Sequence, residues 1–88
     1  MSDDARVSIE QLRTRIDAVD DRIVELLNER AKLALEIRSI KPIASMALYD
    51  PRREEEIFAR LAAVNAGPLY ADNIREIYAA ILHVMKEL

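Results

Sequence analysis

The chain has 88 residues, 51% hydrophobic and 33% charged, and its formal net charge is −3 at pH 7. This length allows one small domain with a modest core. The negative charge argues against a general nucleic-acid-binding protein, because such proteins need a basic surface. With no cysteine and one histidine, the sequence offers neither a disulfide framework nor a thiolate or histidine-rich metal site. We therefore expect no metal and no cofactor.

The composition and the N-terminal residues predict a helical protein of the cytoplasm. One Gly and three Pro leave little room for turns, and no segment has the alternation of a strand. The first seven residues are polar and acidic, unlike a signal peptide. No run approaches the roughly 18 apolar residues of a membrane span, so we expect a soluble protein without a membrane partner.

The first predicted helix runs from Ile9 to Ile40. Ser8, followed three residues later by Gln11, has the spacing of a capping box, which makes residues 1–7 a flexible tail. Pro42 disfavours helical backbone at the preceding residue and ends the segment.

Apolar residues line one seam of this helix in a strict alternation of three and four residues. Nine of the ten seam positions are apolar: Ile9, Leu12, Ile16, Val19, Ile23, Leu26, Leu33, Ile37 and Ile40, with Arg30 as the exception. Such a helix is about 48 Å long, whereas a compact chain of this size is about 30 Å across. A second copy of the chain is the simplest cover for the overhanging seam.

Two shorter helices follow a loop over residues 42–49. Asp50 and Pro51 are typical of an N-cap and a first helical position. The apolar face of the second helix is predicted from its spacing: Ile57, Phe58, Leu61 and Val64. The segment 65–68 (NAGP) ends that helix. The third helix is expected from about Leu69 onward, with this stripe: Ile74, Ile77, Tyr78, Ile81, Met85 and Leu88.

Arg30 is the anomaly of the seam, because its apolar neighbours indicate that the guanidinium faces a packing interior. A buried charge costs several kcal/mol unless it is paired and hydrogen-bonded. Two explanations are open. One is a structural ion pair that fixes the register of the helices, and the other is a bound anion such as a carboxylate.

Two further cations on the helix have a functional and a structural interpretation. Lys41 lies eleven residues beyond Arg30, within about 20° of the same face and about 16 Å along the axis, so both can reach one small molecule. The alternative is a solvated lysine at a helix C-terminus. Arg13 lies about 25 Å from Arg30 on its own helix, but across an antiparallel dimer it approaches the other chain's Arg30. The alternative is an exposed helix arginine.

The start of the second helix adds charged candidates. Asp50 and Glu54 suit the positive end of a helix without any function. Arg52 and Arg53 are explained less well, because cations there oppose the helix dipole.

Together these residues resemble the all-helical class of chorismate mutases, from about Ile9 to Leu88. The shared pattern, without a gap from Arg13 to Glu54, is: Leu12-Arg13, Ile16-Asp17, Asp20, Leu26-Leu27-x-Glu29-Arg30, Lys41 and Asp50-Pro51-x-Arg53-Glu54. The segment from Gly67 to Tyr78 is similar to the third helix of mutase domains fused to prephenate dehydratase.

The resemblance implies an all-α fold of three helices, with a long first helix, in an intertwined homodimer with two active sites. Residues 1–88 would form one mutase domain. The implied reaction is the rearrangement of chorismate to prephenate in phenylalanine and tyrosine biosynthesis. It needs no covalent or acid–base intermediate, so the site holds a reactive conformer and stabilises charge on the breaking ether.

The family also implies a role for each matched residue. Arginines matching Arg30 and, from the other subunit, Arg13 bind the two substrate carboxylates, and the lysine matching Lys41 donates to the ether oxygen. The glutamate matching Glu54, with the backbone near Asp50, takes the ring hydroxyl. The arginine matching Arg53 supports the site.

The third helix departs from the family pattern. The family often has Ser or a similar polar residue where Met85 falls, and a Gln or Glu as second ether-oxygen donor at what would be position 89. A trimmed domain, a shifted helix or an absent donor would each explain this difference. Met85 has the spacing of a core residue.

Other functions stay open at this point. An isochorismate-pyruvate lyase shares this fold, although the acidic Asp50 and Glu54 favour the mutase. Two alternatives are not enzymes. One is a non-catalytic regulatory domain that binds prephenate or docks on a larger enzyme, and the other is a plain coiled-coil dimerisation segment.

Overall fold

The computed structural model describes residues 3–43, 46 and 49–88, and within them the chain forms three α-helices and no strand. The helices are α1 (Asp3–Ile40), α2 (Pro51–Val64) and α3 (Ala71–Lys86). This confirms the predicted all-α fold. The chain divides into two compact units, Met1–Leu33 and Ala34–Leu88. No helix in the described part has an apolar stretch long enough to cross a membrane.

The first helix begins earlier than predicted. α1 is helical from Asp3, so the prediction of a start at Ile9 with a capping box at Ser8 is wrong, and Ser8 lies inside the helix. Asp3 and Asp4 occupy the first turn, where carboxylates interact favourably with the positive end of the helix dipole. The predicted tail is therefore helical from Asp3 to Val7, and residues 1 and 2 lie outside the described residues.

The apolar seam is not covered within the unit Met1–Leu33. No residue of α1 is buried. The exposed fraction of the seam side chains lies between 45% and 57%: Ile9, Leu12, Ile16, Val19, Ile23, Leu26 and Leu33. Arg30 is half-buried. Among the described residues the packing interior predicted around Arg30 is therefore not formed, and its seam neighbours Leu26 and Leu33 are exposed.

The C-terminal end of α1 agrees with the sequence. The helix ends at Ile40, next to the residue that precedes Pro42. The backbone N–H of Lys41 still donates to the carbonyl oxygen of Ile37 at 2.9 Å, so the final turn is closed. Of the predicted loop 42–49, residues 44, 45, 47 and 48 lie outside the described residues.

The helices α2 and α3 pack against each other in the unit Ala34–Leu88. Ile57 and Leu82 are the buried apolar residues of the described chain. Around them lie half-buried side chains: Phe58, Leu61, Ile74, Tyr78, Ile81 and Met85. The predicted stripes are partly wrong, because Val64, Ile77 and Leu88 are exposed and the buried Leu82 was not predicted. At about 100° per residue the packed side chains of α3 span an arc of about 100° between Ile81 and Leu82, and Ile77 lies about 40° outside this arc.

The turn between α2 and α3 follows the predicted stop signal. The side chain of Asn65 donates to the carbonyl oxygen of Leu69 at 2.7 Å and accepts from the N–H of Gly67 at 3.2 Å. Gly67 has a φ of 83°, which only glycine adopts at little cost. α3 then begins at Ala71, slightly later than predicted.

Candidate active site

The first turn of α2 places Glu54 on a capped helix end. The side chain of Asp50 accepts a hydrogen bond from the backbone N–H of Arg53 at 3.0 Å, and Pro51 occupies the first turn. These observations confirm the predicted N-cap. The Glu54 side chain is 22% exposed, whereas that of Arg53 is 58% exposed. Glu54 is therefore the more enclosed of the two charged groups.

An ion pair joins the start of α2 to the end of α3. Nζ of Lys86 lies 2.8 Å from Oε2 of Glu54 and 4.8 Å from the centroid of the Tyr49 ring. The hydrogen bond to Glu54, together with the charge of that carboxylate, raises the pKa of Lys86 above its ordinary value of 10.5. Lys86 is therefore an ammonium at neutral pH.

The end of α1 reaches the same place through Arg38. Its Nη1 donates to the backbone carbonyl oxygen of Lys86 at 3.1 Å and also to that of Leu88. Arginine is well suited to this position, because the last carbonyls of a helix have no partner within the helix and carry its negative end. Lys41, half-buried, follows directly after α1. The fold therefore joins Glu54, Lys86 and the C-terminal turn of α1.

Arg52 and Arg53 have a local explanation that the sequence did not suggest. Nε of Arg52 lies 3.7 Å from one carboxylate oxygen of Glu56, and Nη1 of Arg53 lies 3.9 Å from the other. These exposed pairs are weak, at roughly 0–1 kcal/mol each. They nevertheless supply a counter-charge one turn into the helix, which offsets the unfavourable interaction of two cations with the helix N-terminus.

The unit Met1–Leu33 holds the other two predicted site residues. Nη1 of Arg13 forms an ion pair with Oε1 of Glu10 at 2.8 Å, and both side chains are exposed. Arg30 is half-buried and makes no ion pair or hydrogen bond with the described part of the chain. An intrachain structural ion pair, one of the two explanations for Arg30, is therefore not formed among these residues.

Sequence reasoning missed Lys86 and Arg38. The resemblance directed attention to Met85, which is a half-buried residue of the α3 packing face, and to position 89. The signal for Lys86 was present but weak: it is a lysine in the last turn of a helix, which the dipole alone explains. Its carboxylate partner lies on another helix, and such a pair has no characteristic spacing.

Comparison with known proteins assigns the family. Residues 12–88 match the family model of chorismate mutase type II. The chain belongs to the chorismate mutase type II family. It is 36% identical over 86 residues to a bifunctional chorismate mutase/prephenate dehydratase of Aquifex aeolicus, covering 91% of this chain and 21% of that protein. The chain thus spans about a fifth of the length of this relative.

Solved structures of similar length carry the same fold. Form II of the chorismate mutase from Thermus thermophilus superposes with a TM-score of 0.89 at 37% identity and covers 92% of each chain. The chorismate mutase from Helicobacter pylori in complex with prephenate superposes with a TM-score of 0.84 at 31% identity. The superposition covers 92% of this chain and 88% of the Helicobacter pylori chain. The resemblance inferred from the motifs is confirmed, because the chain belongs to this family and shares the fold of these chorismate mutases.

Proposed function

We propose that this chain rearranges chorismate to prephenate, in phenylalanine and tyrosine biosynthesis, at a site completed by a second copy of the chain. The observation that carries this proposal is Arg30, a half-buried guanidinium on an apolar helix face that has no partner in the described chain. Such a cation needs an anion, and a carboxylate fits its two parallel donors. The similar Helicobacter pylori enzyme holds prephenate.

The reaction breaks an ether C–O bond and forms a C–C bond within one molecule, so no proton or group has to be transferred to the protein. Catalysis then consists of selecting the compact conformer and stabilising the negative charge that develops on the ether oxygen. Arg30 binds one carboxylate and the partner subunit's Arg13 the other. Lys41 donates a hydrogen bond to the ether oxygen.

The first turn of α2 binds the ring hydroxyl in this proposal. Glu54 accepts the hydroxyl hydrogen bond, and the backbone near Asp50 assists it. The low exposure of Glu54 and the cap at Asp50 support this role, because a carboxylate on a fixed turn costs less to order when the substrate binds. Arg53 supports the site from the same turn.

The exposed seam of α1 supports a homodimer. A row of half-exposed Ile, Leu and Val side chains extends from Ile9 to Leu33 and is interrupted at Arg30, and monomeric proteins rarely expose so long an apolar surface to water. An antiparallel second copy covers it and brings its own Arg13 toward Arg30. We place the dimer in the cytoplasm, because amino-acid biosynthesis takes place there.

Product identification tests the proposal. The purified chain is offered chorismate and, separately, isochorismate, and both consumption and products are followed. We expect prephenate from chorismate and no pyruvate from isochorismate. Pyruvate from isochorismate without prephenate would make the protein a lyase. No turnover of either substrate would make it a non-catalytic helical domain. The variant Arg30→Ala serves as the matched control for background rearrangement in solution.

A further inference from the structure

Glu54 has one ion-pair partner within the described residues, and that partner is Lys86. The two side chains lie on different helices, at the start of α2 and at the end of α3. Their 2.8 Å separation is that of a charge-assisted hydrogen bond, which is directional as well as attractive. The orientation of the Glu54 carboxylate is therefore set by a residue that the family pattern did not indicate.

We propose that Lys86 is a positioning residue that orients the Glu54 carboxylate toward the ring hydroxyl of the substrate and compensates its charge. This inference rests on the proposed function, because it presupposes that Glu54 accepts the substrate hydroxyl. The substrate carries two carboxylates, and an uncompensated glutamate beside them would repel it. The Lys86–Glu54 pair is neutral overall and still leaves carboxylate lone pairs free to accept a hydrogen bond.

Lys86 is itself held from two further directions. Its ammonium lies 4.8 Å from the centroid of the Tyr49 ring, within the range of a cation–π contact. Its backbone carbonyl oxygen accepts a hydrogen bond from Nη1 of Arg38 on α1. A surface lysine normally samples many rotamers, whereas these contacts restrict both ends of this residue. Restricted motion is what a positioning role requires, because a mobile cation would not fix the carboxylate.

The small contribution of this ion pair to stability distinguishes a positioning role from a structural role. The Lys86 side chain is 47% exposed, and ion pairs of this exposure add little to the stability of a fold. Loss of the ammonium should therefore leave the protein folded while the affinity for substrate falls. The hydroxyl contact is made in the ground state and in the transition state alike, so its weakening raises KM rather than lowering kcat.

The kinetics of two Lys86 variants test the proposal. Lys86→Met keeps the length of the side chain but removes the charge, and we expect KM for chorismate to rise about tenfold while kcat changes less than about threefold. Lys86→Arg keeps a cation that can reach the carboxylate and should restore KM to within about threefold of the wild type. Lys32→Met, on the exposed surface of α1, is the matched control and should leave both constants unchanged.

A double-mutant cycle identifies Glu54 as the residue through which Lys86 acts. In a Glu54→Gln background, Lys86→Met should change KM by less than about twofold, because no carboxylate is left to orient. A KM for Lys86→Met equal to that of the wild type would overturn the proposal, and so would effects that multiply independently. A lower kcat at unchanged KM with reduced helicity would show a structural role instead. Failure of the wild-type chain to convert chorismate would overturn the proposed function itself.

Discussion

The backbone N–H of Arg53 donates a hydrogen bond to the Asp50 carboxylate at 3.0 Å, and this bond caps the turn from which Glu54 extends. The backbone N–H of Glu54 in turn donates to the carbonyl oxygen of Asp50 at 3.2 Å. Both the side chain and the main chain of Asp50 therefore hold the first turn of α2. The helix cap and the proposed hydroxyl-binding residue are parts of a single local structure.

Removal of the cap should weaken both stability and substrate binding. Asp50→Ala leaves the N–H of Arg53 without its partner, and we expect the free energy of unfolding to fall by about 1 kcal/mol. Asp50→Asn keeps an oxygen acceptor and should stay close to the wild type. Urea unfolding measures the first effect and KM for chorismate the second. Equal losses in both variants would show that the charge of Asp50, rather than the cap, is what matters.

Truncation of Arg30 should separate ligand binding from folding. We expect Arg30→Ala to lose at least about a hundredfold in prephenate affinity, because a substrate carboxylate is left without its charged partner. The variant should remain a folded dimer, since the seam gains an apolar residue. Calorimetric titration and sedimentation velocity measure the two properties. A variant that unfolds, or one that gains stability and keeps full activity, would identify Arg30 as structural.

Mixing two inactive variants tests whether Arg13 comes from the partner. If the site combines Arg30 of one subunit with Arg13 of the other, a heterodimer of Arg13→Ala and Arg30→Ala contains one intact site. Random reassociation of an equal mixture should then restore about a quarter of the wild-type activity. The measurement is chorismate turnover after unfolding and refolding the variants together. Mixtures that stay as inactive as each variant alone would place both arginines in one subunit.

The small core between α2 and α3 makes a sharp stability prediction. Leu82 is buried and Val64 is 67% exposed, although both lie on helices of this core. Leu82→Ala should lower the free energy of unfolding by about 2–4 kcal/mol, because it leaves a cavity. Val64→Ala should change it by less than about 0.5 kcal/mol. Chemical denaturation followed by circular dichroism checks both values, and similar losses would contradict the packing.

The contribution of the Lys86–Glu54 ion pair to the stability of the fold should not change with pH across the neutral range. Its hydrogen bond to Glu54 raises the pKa of Lys86, with Tyr49 also contributing, while burial opposes the shift. A raised lysine pKa stabilises the fold below the ordinary value of 10.5 and loses that effect as pH rises through the folded value. The stability difference between wild type and Lys86→Met should therefore be constant from about pH 7 to about pH 9 and shrink only once the pH rises above the ordinary lysine pKa of 10.5. A difference that disappears by pH 9 would contradict this.

Local signals account for the correct sequence predictions. Pro42 ends α1, and Asp50 caps α2, because each acts on backbone groups within one turn. The error at Ser8 has the same origin. Ser8 and Gln11 have the spacing of a capping box, but the preceding acidic residues Asp3 and Asp4 also favour a helix start. The helix begins at Asp3.

The sequence alone determined the three helices, the break in the apolar seam at Arg30 and the charged segment from Asp50 to Glu54, since each is set by periodicity or by contacts within a turn. Tertiary structure decided which face of α3 is packed, through Leu82, and which group faces Glu54. The pairing of Glu54 with Lys86, and of Lys86 with Arg38, depends on how separate helices meet. Such contacts leave no spacing in the sequence, because they are set by the docking of helix surfaces rather than by chain geometry.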